Sequence, residues 1–329
     1  MESRIGELAA LATAVCWTIT ALSFEAAGKR VGSLTVNITR LFIAAAIFSL
    51  YGWIARGLAL PIDAGREAWL WLSLSGFVGF VIGDLFLFQA FVDVGARISM
   101  LIYASVPPLT ALMARFVLNE ELPRRGVVGM ALTVAGIAFV VLKHAGPTEP
   151  GAQNIAREDA LDEIPVAPFA DPEAQAHELA LRGRQRRIRG VLLAFGGALG
   201  QAGGLVLGRY GAGTELDPFA ATQIRVFAGI VGFSLLFFAL KRWREAGAAL
   251  HNRGAMLRIS AGALFGPFLG VSLGLFAAQN TSTGVASTIM ALVPVLIIVP
   301  SMILFKERVT PREVIGSLIA VGGVAILFL

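Results

Sequence analysis

The sequence has 329 residues, of which 56% are apolar and only 15% charged, with a net charge of +5 at pH 7. Soluble domains are about 45–50% apolar, and about a quarter of their residues are charged. This composition excludes an ordinary soluble domain and indicates a protein that crosses a membrane several times. Basic residues gather at the ends of apolar segments, which anchors helices and gives no nucleic-acid-binding face.

Metal and cofactor chemistry finds little support in the sequence. The single cysteine, Cys16, excludes an intrachain disulfide, and the three histidines, His144, His177 and His251, are scattered between apolar segments. No HExxH or Walker motif is present. We therefore predict no metal site, no cofactor and no ATP-driven pumping by this chain.

Apolar segments of spanning length follow one another along the chain. About 20 apolar residues cross a bilayer as a helix, which pairs every backbone amide internally. The first segment follows one basic residue, Arg4, and is too long for a signal peptide, so we interpret it as a spanning helix. This criterion predicts ten helices, at about residues 5–26, 34–55, 68–91, 96–118, 124–143, 190–209, 218–240, 258–280, 283–305 and 311–329.

A long polar segment, residues 144–189, separates the fifth predicted helix from the sixth. It begins acidic and Pro-rich, as "GPTEPGAQNIAREDALDEIPVAPFADPEAQAHELA", and then becomes basic, as "LRGRQRRIRG". We expect residues 145–185 to be mostly without regular structure and to tether two halves, 1–143 and 190–329. The alternative is a regulatory or partner-binding segment.

The two halves repeat each other with an offset of 187 residues. Near the start of each half, a small shift in the alignment matches "NITRLFIA" with "TQIRVFAG", and therefore Arg40 with Arg225. Each half has five predicted helices, an odd number, so the second half enters the membrane from the opposite face. Inverted repeats are typical of transporters, whose site lies between the halves. The ungapped matches are Glu120 with Glu307, Arg125 with Arg312, Gly136 with Gly323, Pro107 with Pro294, and Gly83 with Gly270.

The elements "RLFIAA", "GDLFLFQA", "VPPLTALMARFVLNEEL" and "GVASTIMALVPVLIIVPSMILFKERVTPREVIGSLIAVGGVAIL" resemble the EamA-type family of the drug/metabolite transporter superfamily. The resemblance covers essentially everything except the polar segment. It implies an all-α membrane protein with ten transmembrane helices in two inverted five-helix repeats around a central cavity. It implies a multi-pass protein of the plasma or inner membrane, but no particular substrate, because the family carries amino acids, nucleobases, sugars and drugs.

Charge and resemblance disagree on which face of the membrane holds the termini. Of the 27 Lys and Arg residues, Arg40 and Arg225 lie deep within predicted helices, while seven lie near the N-terminal face and 18 near the opposite face. The positive-inside rule therefore favours the opposite face as cytoplasmic. The resemblance implies instead that both termini are cytoplasmic, and both orientations stay open.

Asp84, in "FVIGDLFLFQA", lies inside the third predicted helix. A carboxylate at that depth is unfavourable by several kcal/mol unless it is paired or hydrated, which makes it a functional candidate. Arg40 lies at a similar depth, roughly 9–10 Å from the same face, because a helix rises 1.5 Å per residue. The sequence predicts a pair, either a brace between two helices or a substrate clamp and proton-coupling site.

Arg225 repeats Arg40 but has no matching acid, because Asp84 aligns with Val271. It either extends to the membrane interface or faces the cavity and attracts an anionic group of the substrate. Polar or amphipathic side chains within other predicted helices are further candidates for the substrate path: Gln89, Tyr103, Gln201, Trp17 and Thr18, with Asn280 as a weaker one.

Repeated Pro, Gly and Glu residues have structural interpretations. Pro107 and Pro294 predict matched kinks. Glycines at a spacing of four in the sixth and eighth predicted helices predict close helix packing. Glu120 and Glu307 are expected to cap the last helix of each half.

The sequence favours a secondary transporter, working as an exporter of a small metabolite or drug, with proton coupling and facilitated transport as alternatives. Its expected partners are the small-molecule substrate, protons in the coupled case, and the lipid bilayer. The competing classes are a membrane-embedded enzyme and a non-transporting receptor. An aspartyl protease is disfavoured because Asp84 is the one central acid and "VIGD" lacks the first Gly of a GxGD pattern.

Overall fold

A computed structural model describes residues 2–117, 124–144, 172–212, 216–280, 289–306 and 308–328. These ranges are helical, with short turns between the helices and no strand within them. The helices of the first half are α1 (Glu2–Val31), α2 (Ser33–Arg56), α3 (Arg66–Gly76), the π-helix π1 (Phe77–Gly83), α4 (Asp84–Tyr103), α5 (Val106–Val117) and α6 (Arg124–His144). Those that follow are α7 (Pro172–Ala212), α8 (Pro218–Leu240), α9 (Trp243–Ala249), α10 (Arg253–Ala263), the π-helix π2 (Leu264–Gly270), α11 (Val271–Asn280), α12 (Val293–Leu296), α13 (Ile298–Phe305) and α14 (Pro311–Phe328).

Seven helices within the described ranges are long and apolar enough to cross a membrane, by length and composition. A merger and a break account for two of the three predicted helices that are missing from these seven. The third predicted helix joins the fourth, so that 66–103 counts as one span across a kink at Gly95, whose φ is 82°. The described part of the ninth is divided into the short helices α12 and α13.

The two π-helices lie at matching positions of the repeat. Phe77–Gly83 and Leu264–Gly270 are each seven residues long and are separated by the offset of 187 residues that aligns the halves. A π-helix is rare and frequently marks a functional site. Its recurrence at the same register indicates that the distortion belongs to the repeat itself.

The predicted kinks near Pro107 and Pro294 are confirmed. The helix is interrupted at residues 104–105 in the first half and at 291–292 in the second, again 187 residues apart. Each interruption lies just before its proline, where the missing amide and the ring of proline disfavour a continuous helix.

The contact between α6 and α14 relates the halves by an approximate two-fold axis. A Cβ on Gly136 would lie 2.8 Å from the Gly316 carbonyl oxygen, and one on Gly323 would lie 2.7 Å from the Gly129 carbonyl oxygen. Because Gly316 is the repeat partner of Gly129 and Gly323 that of Gly136, these two contacts are equivalent. Reciprocal contacts of this kind are the signature of two-fold symmetry. Positions rise along α6 as they fall along α14, so these equivalent helices are antiparallel.

The first helix of each half packs against the π-helix-containing helix of the other half. Thus α1 packs along α10, π2 and α11, while the apolar part of α7 packs along α3, π1 and α4. The repeats are therefore interlocked, and residues from both halves meet in the middle of the bundle.

The expectation for the polar segment is wrong for residues 172–185, which are helical and continue into α7. This stretch is rich in Ala, Glu, Gln, Leu and Arg, which are strong helix formers. Residues 145–171 lie outside the described residues.

Candidate functional site

Arg40 of α2 forms a buried ion pair with Asp84, the first residue after π1. The two residues are 4% and 6% exposed, and the Nη2 atom of Arg40 donates to the Oδ2 atom of Asp84. The pairing predicted from their depths is thus present in the structure.

Asn37 holds both members of this pair in position. Its Oδ1 atom accepts from the Nε atom of Arg40 at 3.2 Å, and its Nδ2 atom donates to the Asp84 backbone oxygen at 3.2 Å. The Arg40 guanidinium also lies 4.6 Å from the centre of the Phe88 ring. The ion pair, the hydrogen bond and the aromatic contact together hold the Arg40 guanidinium in place.

Arg225 of α8 is the second buried arginine of the bundle. It is 7% exposed, so it does not extend to the interface, and its guanidinium lies 4.7 Å from the centre of the Phe80 ring. The guanidinium of Arg40 lies 5.8 Å from the same ring centre. Phe80 therefore links Arg225 to the Arg40–Asp84 pair, and we call Arg40, Asp84 and Arg225 the buried charged cluster.

Glycines on π1 and α7 make room for the Arg225 guanidinium. A Cβ on Gly204 would lie 2.8 Å from the Cα atom of Gly79, so the two backbones are in direct contact. A Cβ on Gly79 would lie 3.4 Å from the Nη2 atom of Arg225 and 3.6 Å from the Oε1 atom of Gln201. The predicted Gly stripe thus packs helices closely, and both the Arg225 guanidinium and the Gln201 amide border Gly79.

Tyr103 belongs to the same region as the buried charged cluster. It interacts electrostatically with Asp84, Arg40 and Arg225. Trp17, on α1, borders the apolar core that Tyr103 also borders, and its indole lies against Gly270 of π2.

Gln89 lies away from the buried charged cluster. It accepts a hydrogen bond from Ser33 at 2.7 Å and donates one to Asp93 at 3.1 Å, near the end of the helix that contains π1. Asp93 in turn receives two hydrogen bonds of 2.8 Å from Arg189 of α7. Gln89 therefore belongs to a network that fixes the beginning of the apolar part of α7.

Thr18 and Asn280 satisfy their polar groups within their own helices. The Thr18 hydroxyl donates to the Ala14 carbonyl oxygen, and the Asn280 amide donates to the Phe276 carbonyl oxygen. Both side chains therefore bond to the backbone of their own helix.

Two buried carboxylates were missed in the sequence because they lie near predicted helix ends. Glu25, 1% exposed, accepts from the Ala96 backbone amide at 2.7 Å just after the kink at Gly95, and pairs with Lys29 at 2.8 Å. Glu313 accepts from the Thr310 amide at 2.8 Å and pairs with Arg97 at 3.0 Å. A Thr followed three residues later by a Glu is the capping-box pattern, which could have identified Glu313.

The two glutamates predicted to cap helices, Glu120 and Glu307, lie outside the described residues. In the second half, the cap of α14 is the one that Thr310 and Glu313 form.

Two surface depressions of the bundle lie away from the buried charged cluster. One, of about 540 Å³, is lined by Phe86, Arg189, Leu192 and Gly196 with their neighbours on α7. Another, of about 410 Å³, lies at the start of α3. Neither contains a residue of the buried charged cluster, whose three members are buried. Among the described residues, no group of three or more His, Cys, Asp and Glu side chains is placed to hold a metal ion.

The buried charged cluster brings charged groups of both halves together inside the bundle. It lies between the two halves, because Arg40 and Asp84 come from the first and Arg225 from the second. It contains two cations and one anion, all buried, and the Phe80 ring lies beside both guanidinium groups. Charges placed at that depth interact far more strongly with a ligand than they would at the surface.

The EamA-like transporter family matches residues 4–142 and 188–329, one repeat in each half. No curated protein matches the chain. Chains of solved structures do match: one, titled "Crystal structure of protein", has a TM-score of 0.58 and 16% identity. That match covers 98% of this chain and 95% of the other, and it shows a shared fold. With both halves matched, the chain belongs to the EamA-like transporter family, part of the drug/metabolite transporter superfamily.

Proposed function

We propose that this multi-pass membrane protein is a secondary transporter that exports a small metabolite or drug by alternating access between its two repeats. The proposal includes ten transmembrane helices in two inverted five-helix repeats, in the plasma or inner membrane. The antiparallel contact of α6 with α14 and the matched π-helices and breaks support the inverted arrangement.

The observation that carries the proposal is the position of the buried charged cluster between the repeats. A site built from both halves changes its access when the halves rock against each other. Where π1 meets α7, glycines face each other without intervening side chains, and such a surface allows one helix to slide along the other.

Within this proposal, the Arg40–Asp84 pair is a brace and Arg225 is the group that meets the substrate. Arg40 already has an ion pair, a hydrogen bond to Asn37 and aromatic contacts. Removing one member of such a pair is expected to destabilise the protein more than to alter substrate choice.

Uptake into liposomes by the purified protein tests the proposal. Vesicles loaded with an unlabelled amino acid, nucleobase or drug cation should accumulate the same labelled compound from outside, without ATP. Protein carrying Leu235→Ala, an exposed position of α8, should match the wild type, whereas Arg225→Gln should lose uptake.

A membrane-embedded enzyme or a receptor would give a different result. Either would bind or convert a compound without moving it into the vesicle. Absence of uptake for every compound that binds the protein would contradict the proposed function.

A further inference from the structure

The Arg225 guanidinium leaves one edge unused. Its Nε and Nη2 atoms are buried and have no hydrogen-bond partner among the described residues. These two atoms are neighbours on one edge of the planar group and point their N–H bonds in the same direction. A buried donor without a partner is unfavourable by about 1–3 kcal/mol, and more for a charged group, so an edge with two of them calls for a partner.

The same edge binds carboxylates elsewhere in this chain. The Nε and Nη2 atoms of Arg189 donate to the two oxygens of Asp93, both at 2.8 Å. The same atoms of Arg242 donate to the two oxygens of Glu245, at 2.8 and 2.5 Å. Two parallel N–H···O bonds of this kind are the preferred geometry of arginine with a carboxylate. Arg225 presents this geometry without the acid.

The surroundings of that edge are small and adjustable. A Cβ on Gly79 would make ordinary contacts with the Nη2 atom of Arg225, the Cα atom of Gly204 and the Oε1 atom of Gln201. A Cβ on Gly208 would lie 3.9 Å from the Arg225 Nε atom. Glycine positions therefore border both free donors, and the Gln201 amide, which also borders Gly79, can present either its oxygen or its NH₂ group.

The charge of the region also calls for an anion. The buried charged cluster holds two arginines, which stay protonated in proteins, and one carboxylate. Asp84 pairs with Arg40 through its Oδ2 atom, and no described residue accepts a hydrogen bond from the free edge of Arg225. One added carboxylate would bring the formal charge of the buried charged cluster from +1 to zero.

We propose that Arg225 binds the carboxylate of the transported substrate, with its Nε and Nη2 atoms each donating to one carboxylate oxygen. The substrate class is thus an organic anion with a carboxylate group, which lies beside Phe80 and the Gln201 amide. That the bound anion is also transported rests on the proposed function, but its binding can be measured without transport.

Thermal unfolding of the full-length protein in detergent tests the inference with a minimal probe. Sodium acetate should raise the melting temperature of the wild type at constant ionic strength set with sodium chloride, because a ligand stabilises the folded state it binds. Acetamide, which has the same shape without the charge, should not. Arg225→Lys should weaken acetate binding by about tenfold or more, because lysine offers a point charge in place of two parallel donors.

Two further variants separate a binding role from a structural one. Arg225→Gln should lose the acetate effect and melt no lower than the wild type in chloride, because it removes a buried charge that lacks a full partner. Gly79→Ala should fold normally, because its Cβ meets only ordinary contacts, and should lose the acetate effect by filling the space beside the Arg225 Nη2 atom. Arg184→Gln, at an exposed arginine of α7, is the matched control and should behave as the wild type.

Three results would overturn the inference: no acetate effect on the wild type, an equal effect of acetamide, or an acetate effect that survives in both Arg225→Gln and Gly79→Ala. A retained acetate effect in a protein that shows no uptake would contradict the proposed function and leave the carboxylate site standing. Uptake of a cation or neutral compound without any acetate effect would contradict the carboxylate site and leave the proposed function standing.

Discussion

At the scale of single residues, the ion pair of Arg40 with Asp84 joins α2 to the first residue after π1. Asp84→Asn leaves Arg40 buried without its anion, and breaking such a pair typically costs about 3–5 kcal/mol. We expect a clear fall in melting temperature, while the protein that remains folded keeps its substrate exchange. Asp63→Asn breaks an exposed pair with Arg56 and should change stability by about 0–1 kcal/mol.

The proton-coupling alternative gives a different outcome for the same Asp84→Asn variant. If Asp84 binds and releases the transported proton, uptake driven by a pH gradient should stop, while exchange without a gradient continues. We expect instead that both activities fall together with the amount of folded protein. Loss of gradient-driven uptake alone, at unchanged stability, would show that the pair couples protons.

The sequence predicted part of this site for a definite physical reason. Counting helical rise from the ends of two apolar segments placed Arg40 and Asp84 at the same depth, and the structure pairs them. The same count could not show that Arg225 is buried, because its burial depends on how closely π1 approaches α7. Nor could it place Gln89, whose partners Ser33 and Asp93 lie near the ends of predicted helices.

At the scale of elements, the contact of π1 with α7 depends on glycine. Gly204→Ala would place a Cβ 2.8 Å from the Gly79 Cα atom, a backbone position that cannot move alone. We expect a lower melting temperature because α7 must shift away from π1. Gly183→Ala, in the polar part of the same helix, meets nothing within 4 Å and should stabilise by about 0.5–1 kcal/mol. Equal effects of the two variants would contradict this account of the contact.

The start of the apolar part of α7 depends on Asp93. This carboxylate is 1% exposed and pairs with Arg189 at 2.8 Å and with Arg186 at 3.7 Å. Asp93→Asn should loosen that part of the helix, so amide hydrogen exchange at residues 180–190 should become faster. Glu178→Gln, which breaks an exposed pair with Arg182, should leave the exchange of residues 185–190 unchanged.

Elements differ in how well the sequence predicts them. The breaks near Pro107 and Pro294 were predictable because proline has a local effect on the helix. The π-helices were not: Pro267 lies within "LFGPFLG", but "FVGFVIG" contains no proline and forms the same π-helix. The helical part of the polar segment was missed because its charge was given more weight than its helix-forming composition.

At the scale of the whole molecule, the two halves meet along an approximate two-fold axis between α6 and α14. The Thr133 hydroxyl lies 3.3 Å from the carbonyl oxygen of Ala320, its own partner in the repeat. A residue that touches its symmetry partner lies on or near the axis. The internal repeat in the sequence predicted this two-fold relation. The number of spanning helices could not be predicted from hydropathy alone, because a kinked helix can join two apolar segments and a break can divide one.

Alternating access is the central claim, and the single cysteine makes it measurable. Cys16→Ala gives a cysteine-free protein, into which Gln201→Cys introduces one thiol beside Arg225. Arg184→Cys and Leu60→Cys mark two exposed positions on opposite faces of the bundle and serve as controls for vesicle orientation. Each control should react with a membrane-impermeant maleimide from one face only.

Labelling of Gln201→Cys from each face of sealed vesicles of known orientation tests this claim most directly. Alternating access predicts reaction from both faces, each slower than that of the exposed controls, because the site opens to one side at a time. Reaction from one face only, or from neither, would contradict a site that opens alternately to both sides of the membrane.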